Sequence, residues 1–432
     1  MCFIITLLND WIWKKIMKNF YKNFCLLLIL FVLIFTVSCN NSADDSISVN
    51  LTENVSPVTL KRQQLSDSFV SANQDFSARL FALETRNHRG NFNISPYSLS
   101  FALSIVAEGA NGNTLSQFEN VLMNGMEQKE WNNNMYSLLK KNDNYLSQAD
   151  VLLLTKKNAD VKETFLESVS GNFNASVYHV DFKKQQTVEE INNWAKEKTA
   201  GQIKNVVENF DNNTAMYIAD AVYIDMPWTT THRKADVKEE IFTNLSGDKN
   251  KVQMIYTVLN GNKINYISNE NEEGFIKYFA NGYRFVAVMP NENYNFDDYV
   301  YSFDGNKLRS IILSGKTEVI KAGMPQFNVE SSADFRNTLV EMGIIDAYDA
   351  DKADFSRISD DAVLYMGKTV QKTFLSVDIS GIRAGAASGQ ELITLGIEPI
   401  EERVIVLNRP FVYIILDQNN IPVFMGAVTD LS

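Results

Sequence analysis

The chain has 432 residues, of which 45% are hydrophobic and 21% charged, and its formal net charge is −12. This length and balance suit a globular protein with a large core. The acidity excludes a surface that tracks nucleic-acid phosphates, which needs basic patches. The three cysteines, Cys2, Cys25 and Cys39, all lie near the start, so the body carries neither a disulfide nor a thiolate metal site. The three histidines, His88, His179 and His232, fall in no metal-ligand spacing.

In chain order, basic Lys18 and Lys22 precede an apolar run from Cys25 to Val37, then Ser38-Cys39 and a polar stretch ending at Asp45. That layout predicts an export signal over residues 1–38, with Met17 a better start than Met1. The apolar run is short for a membrane span of about 20 residues. A small residue directly before a cysteine resembles a bacterial lipobox. Cys39 is then the lipidated first residue of an outer-membrane lipoprotein, facing the periplasm or the outside; a plain signal instead gives a secreted protein. Residues 39–66 are rich in Ser, Asn, Asp and Thr and read as a flexible tether.

From Ser66, Phe69, Phe76, Leu80 and Leu83 share one helical face. Ser95 suits an N-cap, Pro96 the first helical position and Gly109 the end of a deeply buried helix. Thr114-Leu-Ser-Gln117 and Thr187-Val-Glu-Glu190 read as capping boxes that open two further helices. Buried strands are expected over residues 151–155, 216–224, 285–289, 319–324, 374–377, 404–407 and 412–416. Residues 67–432 read as one large mixed α+β domain.

No catalytic motif is present: there is no G-x-S-x-G, no phosphate-binding glycine loop and no H-E-x-x-H. Adjacent acids such as Glu272 and Glu273, or Glu401 and Glu402, read as solvated surface pairs. The segment from Asp378 to Gly396 stands apart. Taken as a strand, it puts Ile382, Ala384, Ala386, Ser388, Gln390 and Leu392 on one uncharged face. The other face carries Arg383, Gly385, Ala387, Gly389 and Glu391. Its small residues give weak strand propensity. It can be a strand without having to be one, which suggests a switch.

Asn408-Arg-Pro-Phe-Val-Tyr-Ile-Ile415, Gln418 to Val428, Ala353-Asp-Phe-Ser356, Asn93-Ile-Ser-Pro-Tyr-Ser98, Asn192-Asn-Trp194 and Ala219-Asp-Ala-Val-Tyr223 stand out as a further set of segments. Together they resemble the marker segments of the serpins, the serine-protease-inhibitor superfamily. The resemblance implies three β-sheets, about nine helices and an exposed reactive-centre loop. It implies an inhibitor, not an enzyme: a protease cleaves the loop, becomes acylated, and is trapped as the loop enters the main sheet. Gly381 matches the hinge glycine. Ile382, Ala384, Gly385, Ala386, Ala387 and Ser388 form the hinge, although Ile379, Ser380, Ile382 and Arg383 depart from the family's usual residues.

Counting from the family's hinge puts the scissile bond at Leu395–Gly396, with Leu392, Ile393 and Thr394 leading to it. Leucine there favours chymotrypsin- or elastase-like targets. The family's buried polar cluster maps onto Ser95, Ser98, Asp220 and Gln371. An amide at Gln371 can bridge donors and acceptors, whereas an unpartnered Asp220 is costly to bury. No cofactor is expected. Expected partners are proteases and, through Cys39, a membrane; the chain itself reads as a monomer. The alternative is a non-inhibitory binding protein of serpin fold, cleaved as a substrate.

Overall fold

A computed structural model of the chain describes residues 49–58, 60–139, 146–155, 160–210, 214–230, 232–257, 264–361, 363–382 and 403–432. The predicted export signal and Cys39 lie outside the described residues. So do most of the hinge, Ala384, Gly385, Ala386, Ala387 and Ser388, and the predicted reactive segment Leu392, Ile393, Thr394, Leu395 and Gly396.

Among the described residues, nine α-helices pack around three sheets. The first helix, Asp67–Thr85, starts where Ser66 accepts from the Phe69 amide, and it buries Phe69, Phe76 and Leu80. The second, Pro96–Gly109, is buried almost throughout. The helix ends at Gly109 as expected, and the glycine also serves packing. Its backbone is not left-handed, and a Cβ there would run into the Ile358 side chain.

Both capping-box readings are corrected. The helix Gly112–Val121 starts after Asn111, so Thr114 and Gln117 lie inside it. Thr114 instead accepts from the Asp354 amide at 3.0 Å, and the Gln117 carbonyl accepts from the Ile345 and Asp346 amides, each at 2.8 Å. The helix Gln185–Lys198 starts before Thr187, whose hydroxyl donates to the Asp181 carbonyl at 2.8 Å. Thr114 and Gln117 thus tie other segments to their helix, whereas Thr187 ties the first turn of its helix back to the chain just before it.

The expected tether also ends early. Val49–Asn50 pairs antiparallel with Ser176–Val180 and covers the edge of the largest sheet. The Val58 amide donates to the Glu167 carbonyl, and Gly171 lacks a Cβ where the Val58 backbone crosses it. From Val49 onward the described chain lies on the body.

The largest sheet runs, in spatial order, through Val49–Asn50, Ser176–Val180, Leu146–Thr155, Met216–Ile224, Val370–Val377, Gly381–Ile382 and Met226–Pro227, with Phe327–Asp334 also paired to Val370–Val377. The second sheet centres on Arg284–Pro290, Phe411–Leu416 and Pro422–Val428, all almost wholly buried. These strands are near-continuous apolar runs because helices or another sheet cover both faces. The third sheet joins Arg403–Val406, Ile320–Pro325, Lys249–Tyr256 and Val237–Thr243.

Candidate functional site

The site is a parting in the largest sheet. Strands Met216–Ile224 and Val370–Val377 run parallel, as strands flanking the place of an antiparallel neighbour would. Among the described residues they share one register pair, Gln371 with Asp220, and below it a lone bridge joins Met216 to Met366. Above that pair the chain continues six residues on each side, to Val377 and to Met226, before it is bridged again. At about 3.3 Å per residue the parting is roughly 20 Å long.

A buried clasp closes its lower end. The Gln371 amide donates to the Asp220 carboxylate at 2.9 Å and to the Ser95 carbonyl at 3.0 Å, while its oxygen accepts from the Ser95 amide at 2.8 Å. The Ser98 hydroxyl donates to the other Asp220 oxygen. The Ser95 hydroxyl donates to the Val423 carbonyl at 2.7 Å and caps the helix by accepting from the Ser98 amide at 3.2 Å. The four predicted cluster residues are thus brought together, each with its polar atoms partnered. Both carboxylate oxygens of Asp220 are satisfied, which reduces the penalty for burying it. Burial still pushes its pKa up to about 6, against the two hydrogen bonds.

The upper end is filled by the hinge. Val370–Val377 turns through Asp378, Ile379 and Ser380 into Gly381–Ile382, which pairs with Val377 on one side and with Met226–Pro227 on the other. Ile382 has no exposed surface. Gly381 sits at φ +146°, and a Cβ there would collide with the Met226 carbonyl oxygen, so only glycine fits.

Every backbone carbonyl of the turn has a donor. Asp378 receives the Trp228 indole N–H at 2.9 Å, Ile379 the His232 amide at 3.4 Å, Ser380 the Trp228 amide at 3.0 Å, and Gly381 the Asp378 amide at 3.0 Å. The Asp378 carboxylate accepts from the Ser380 amide at 2.6 Å and from the Gly381 amide at 3.3 Å.

Trp228 is stacked on Phe279 with ring centroids 4.4 Å apart, and the Lys277 ammonium lies 3.9 Å from its ring. Lys277 Nζ is 2.6 Å from His232 Nε2, and His232 Nδ1 is 3.0 Å from the Tyr256 carbonyl. Burial pulls the Lys277 pKa down to about 7, and burial together with Lys277 holds His232 down at about 3. His232 is therefore neutral at pH 7, donating through Nδ1 and accepting from Lys277 through Nε2.

Sequence reasoning singled out Gly381, Ile382, Ser95, Ser98, Asp220 and Gln371. It missed His232, Lys277 and Trp228 as hinge supports, and gave Asp378 no role. Asp378-x-Ser-Gly381 carries a local signal: Asp at the start of a tight turn caps the amides that follow it.

The serpin family model (serine protease inhibitor) matches residues 71–431. The chain belongs to the serpin family. Its fold is similar to that of the thermophilic serpin tengpin in the native state, with a TM-score of 0.83 and 33% identity, over 89% of this chain and 100% of that one. This serpin is 26% identical to an uncharacterised serpin-like protein of Thermococcus kodakarensis, over 83% of this chain and 85% of the relative. It is 27% identical to serine proteinase inhibitor 1 of Myxoma virus, over 79% of this chain and 88% of the relative. Serpins are in general protease inhibitors rather than enzymes.

Proposed function

We propose that this serpin inhibits serine proteases of the chymotrypsin or elastase type, with cysteine proteases a second class reached by the same acyl chemistry. The observation that carries the reading is the parted sheet, whose mouth already holds Gly381–Ile382 in strand pairing with Ile382 buried. The protease serine attacks the Leu395 carbonyl carbon and the Leu395–Gly396 bond breaks. Gly396 leaves as an amine carrying a proton, and Leu395 stays as an ester on the protease. Residues after Ile382 then add as a strand between Met216–Ile224 and Val370–Val377, and the ester is drawn along before water can hydrolyse it. Strand addition by such a loop is general to the fold; this chain's contribution is an uncharged inward face from Ile382 to Leu392.

The protein acts at a cell envelope, anchored through lipid on Cys39, with the membrane as its second partner. Radiolabelled palmitate incorporation that disappears in Cys39→Ala tests this anchor, and equal labelling of both forms contradicts it. The inhibitory reading is tested by mass spectrometry of the loop fragments after incubation with chymotrypsin. A fragment beginning at Gly396, with the remaining chain esterified to the protease, is expected. A fragment beginning at Gly396 with no adduct at any time would favour the non-inhibitory serpin cleaved as a substrate.

A further inference from the structure

The hinge departs from its family at the two positions before Gly381, which are Ile379 and Ser380, and the structure places a different device there. The Asp378 carboxylate caps the Ser380 and Gly381 amides, while Trp228 and His232 take the carbonyls of Asp378, Ile379 and Ser380. These contacts fold the chain back by a tight turn, so that Ile382 lies opposite Val377 and Met226.

We propose that Asp378 is a positioning residue that latches the hinge in the mouth of the parted sheet and fixes the register in which the loop inserts. This rests on the inhibitory reading for its consequence, but not for the latch itself. Without the carboxylate, two amides at the turn lose their acceptor. A capped turn allows one path for the chain into the sheet.

Register matters here because a slip by one residue exchanges the two faces of a strand. In the register set by Ile382, alternation assigns the inward face to Ala384, Ala386, Ser388, Gln390 and Leu392. A slip by one sends Arg383 and Glu391 inward instead, and a buried unpaired charge opposes insertion. The latch therefore acts before cleavage. It orders Gly381 and Ile382 in advance, so that insertion extends an existing strand instead of searching for one. Speed at this step decides whether the acyl-enzyme is trapped or hydrolysed.

The test compares Asp378→Ala with Asp378→Asn in the full-length, uncleaved protein. Asparagine keeps a side-chain oxygen that can cap the same amides. Amide hydrogen exchange at Ser380, Gly381 and Ile382 is expected to quicken about tenfold or more in the alanine variant and to stay near the parent rate in the asparagine variant. With chymotrypsin, the number of serpin molecules consumed per protease inhibited is expected to rise several-fold in the alanine variant and to return toward the parent value in the asparagine variant. Unchanged exchange in the alanine variant overturns the latch, as does equal loss in both variants. Quickened exchange with unchanged consumption overturns its role in insertion. A parent protein that never inhibits, yet shows the exchange pattern, counts against the proposed function while supporting the latch.

Discussion

Asp220 shows what one buried carboxylate does to the stability of the main sheet. Desolvation raises its pKa from 3.8 to about 6, because taking the charged form out of water costs more than the Ser98 and Gln371 hydrogen bonds return. Between those two values the folded chain binds more proton than the unfolded one. The resulting stability is fully present below pH 3.8 and is lost as pH rises through about 6. At ~1.4 kcal/mol per pKa unit the effect is on the order of 3 kcal/mol. Asp220→Asn removes the titration. Relative to the parent, its melting temperature should gain ground as pH rises from 4 to 7, and a constant difference across that range would contradict the assignment. Gly381 makes a separate case: its positive φ and the nearby Met226 carbonyl leave no room for any side chain.

At the scale of elements, the apolar strands were legible because their neighbours are apolar whatever they pair with. The strand over residues 216–224 is found where its apolar, β-branched run predicts it, and those at Arg284–Pro290 and Phe411–Leu416 differ only at their ends. The hinge pairing was not legible in this way. Gly381–Ile382 is held by Met226–Pro227, Trp228 and His232, about 150 residues earlier, and no local pattern encodes so distant a partner. The capping boxes failed for a related reason, since the same side chains satisfied groups outside their own helices. Gln117→Ala should therefore leave its helix intact and loosen the turn at Ile345–Asp346, costing about 0.5–1.5 kcal/mol because water can reach the freed amides. Denaturant unfolding and amide exchange at Ile345 and Asp346 check this; melting of Gly112–Val121 would restore the capping reading.

The loop is the element on which the mechanism turns. By strand alternation Ala384 follows Ile382 onto the same face, so on the proposed insertion a charge at this position would be buried unpaired. Ala384→Arg should leave the cleaved bond unchanged but convert the protein from inhibitor to substrate, read as full cleavage with no stable adduct. Inhibition that survives this change would remove the case for insertion.

At the scale of the whole molecule, the described strands of the main sheet part between a clasp at Gln371–Asp220 and a hinge at Ile382. A strand added there gains backbone hydrogen bonds along both edges, each contributing ~0.5–1.5 kcal/mol net. Against this stands the ordering of a glycine- and alanine-rich segment at about 1–2 kcal/mol per residue, so burial and relief of the parted sheet must contribute as well. Loop cleavage without the protease attached is predicted to raise the melting temperature by about 10 °C or more.

The proposed inhibition stands or falls on covalent trapping of the protease by cleavage and insertion. Denaturing gel electrophoresis after mixing with chymotrypsin tests it most directly. A band at the combined mass of protease and serpin that survives boiling in detergent is expected. Clean loop cleavage alone, with chymotrypsin and with every elastase-type enzyme tried, would contradict it.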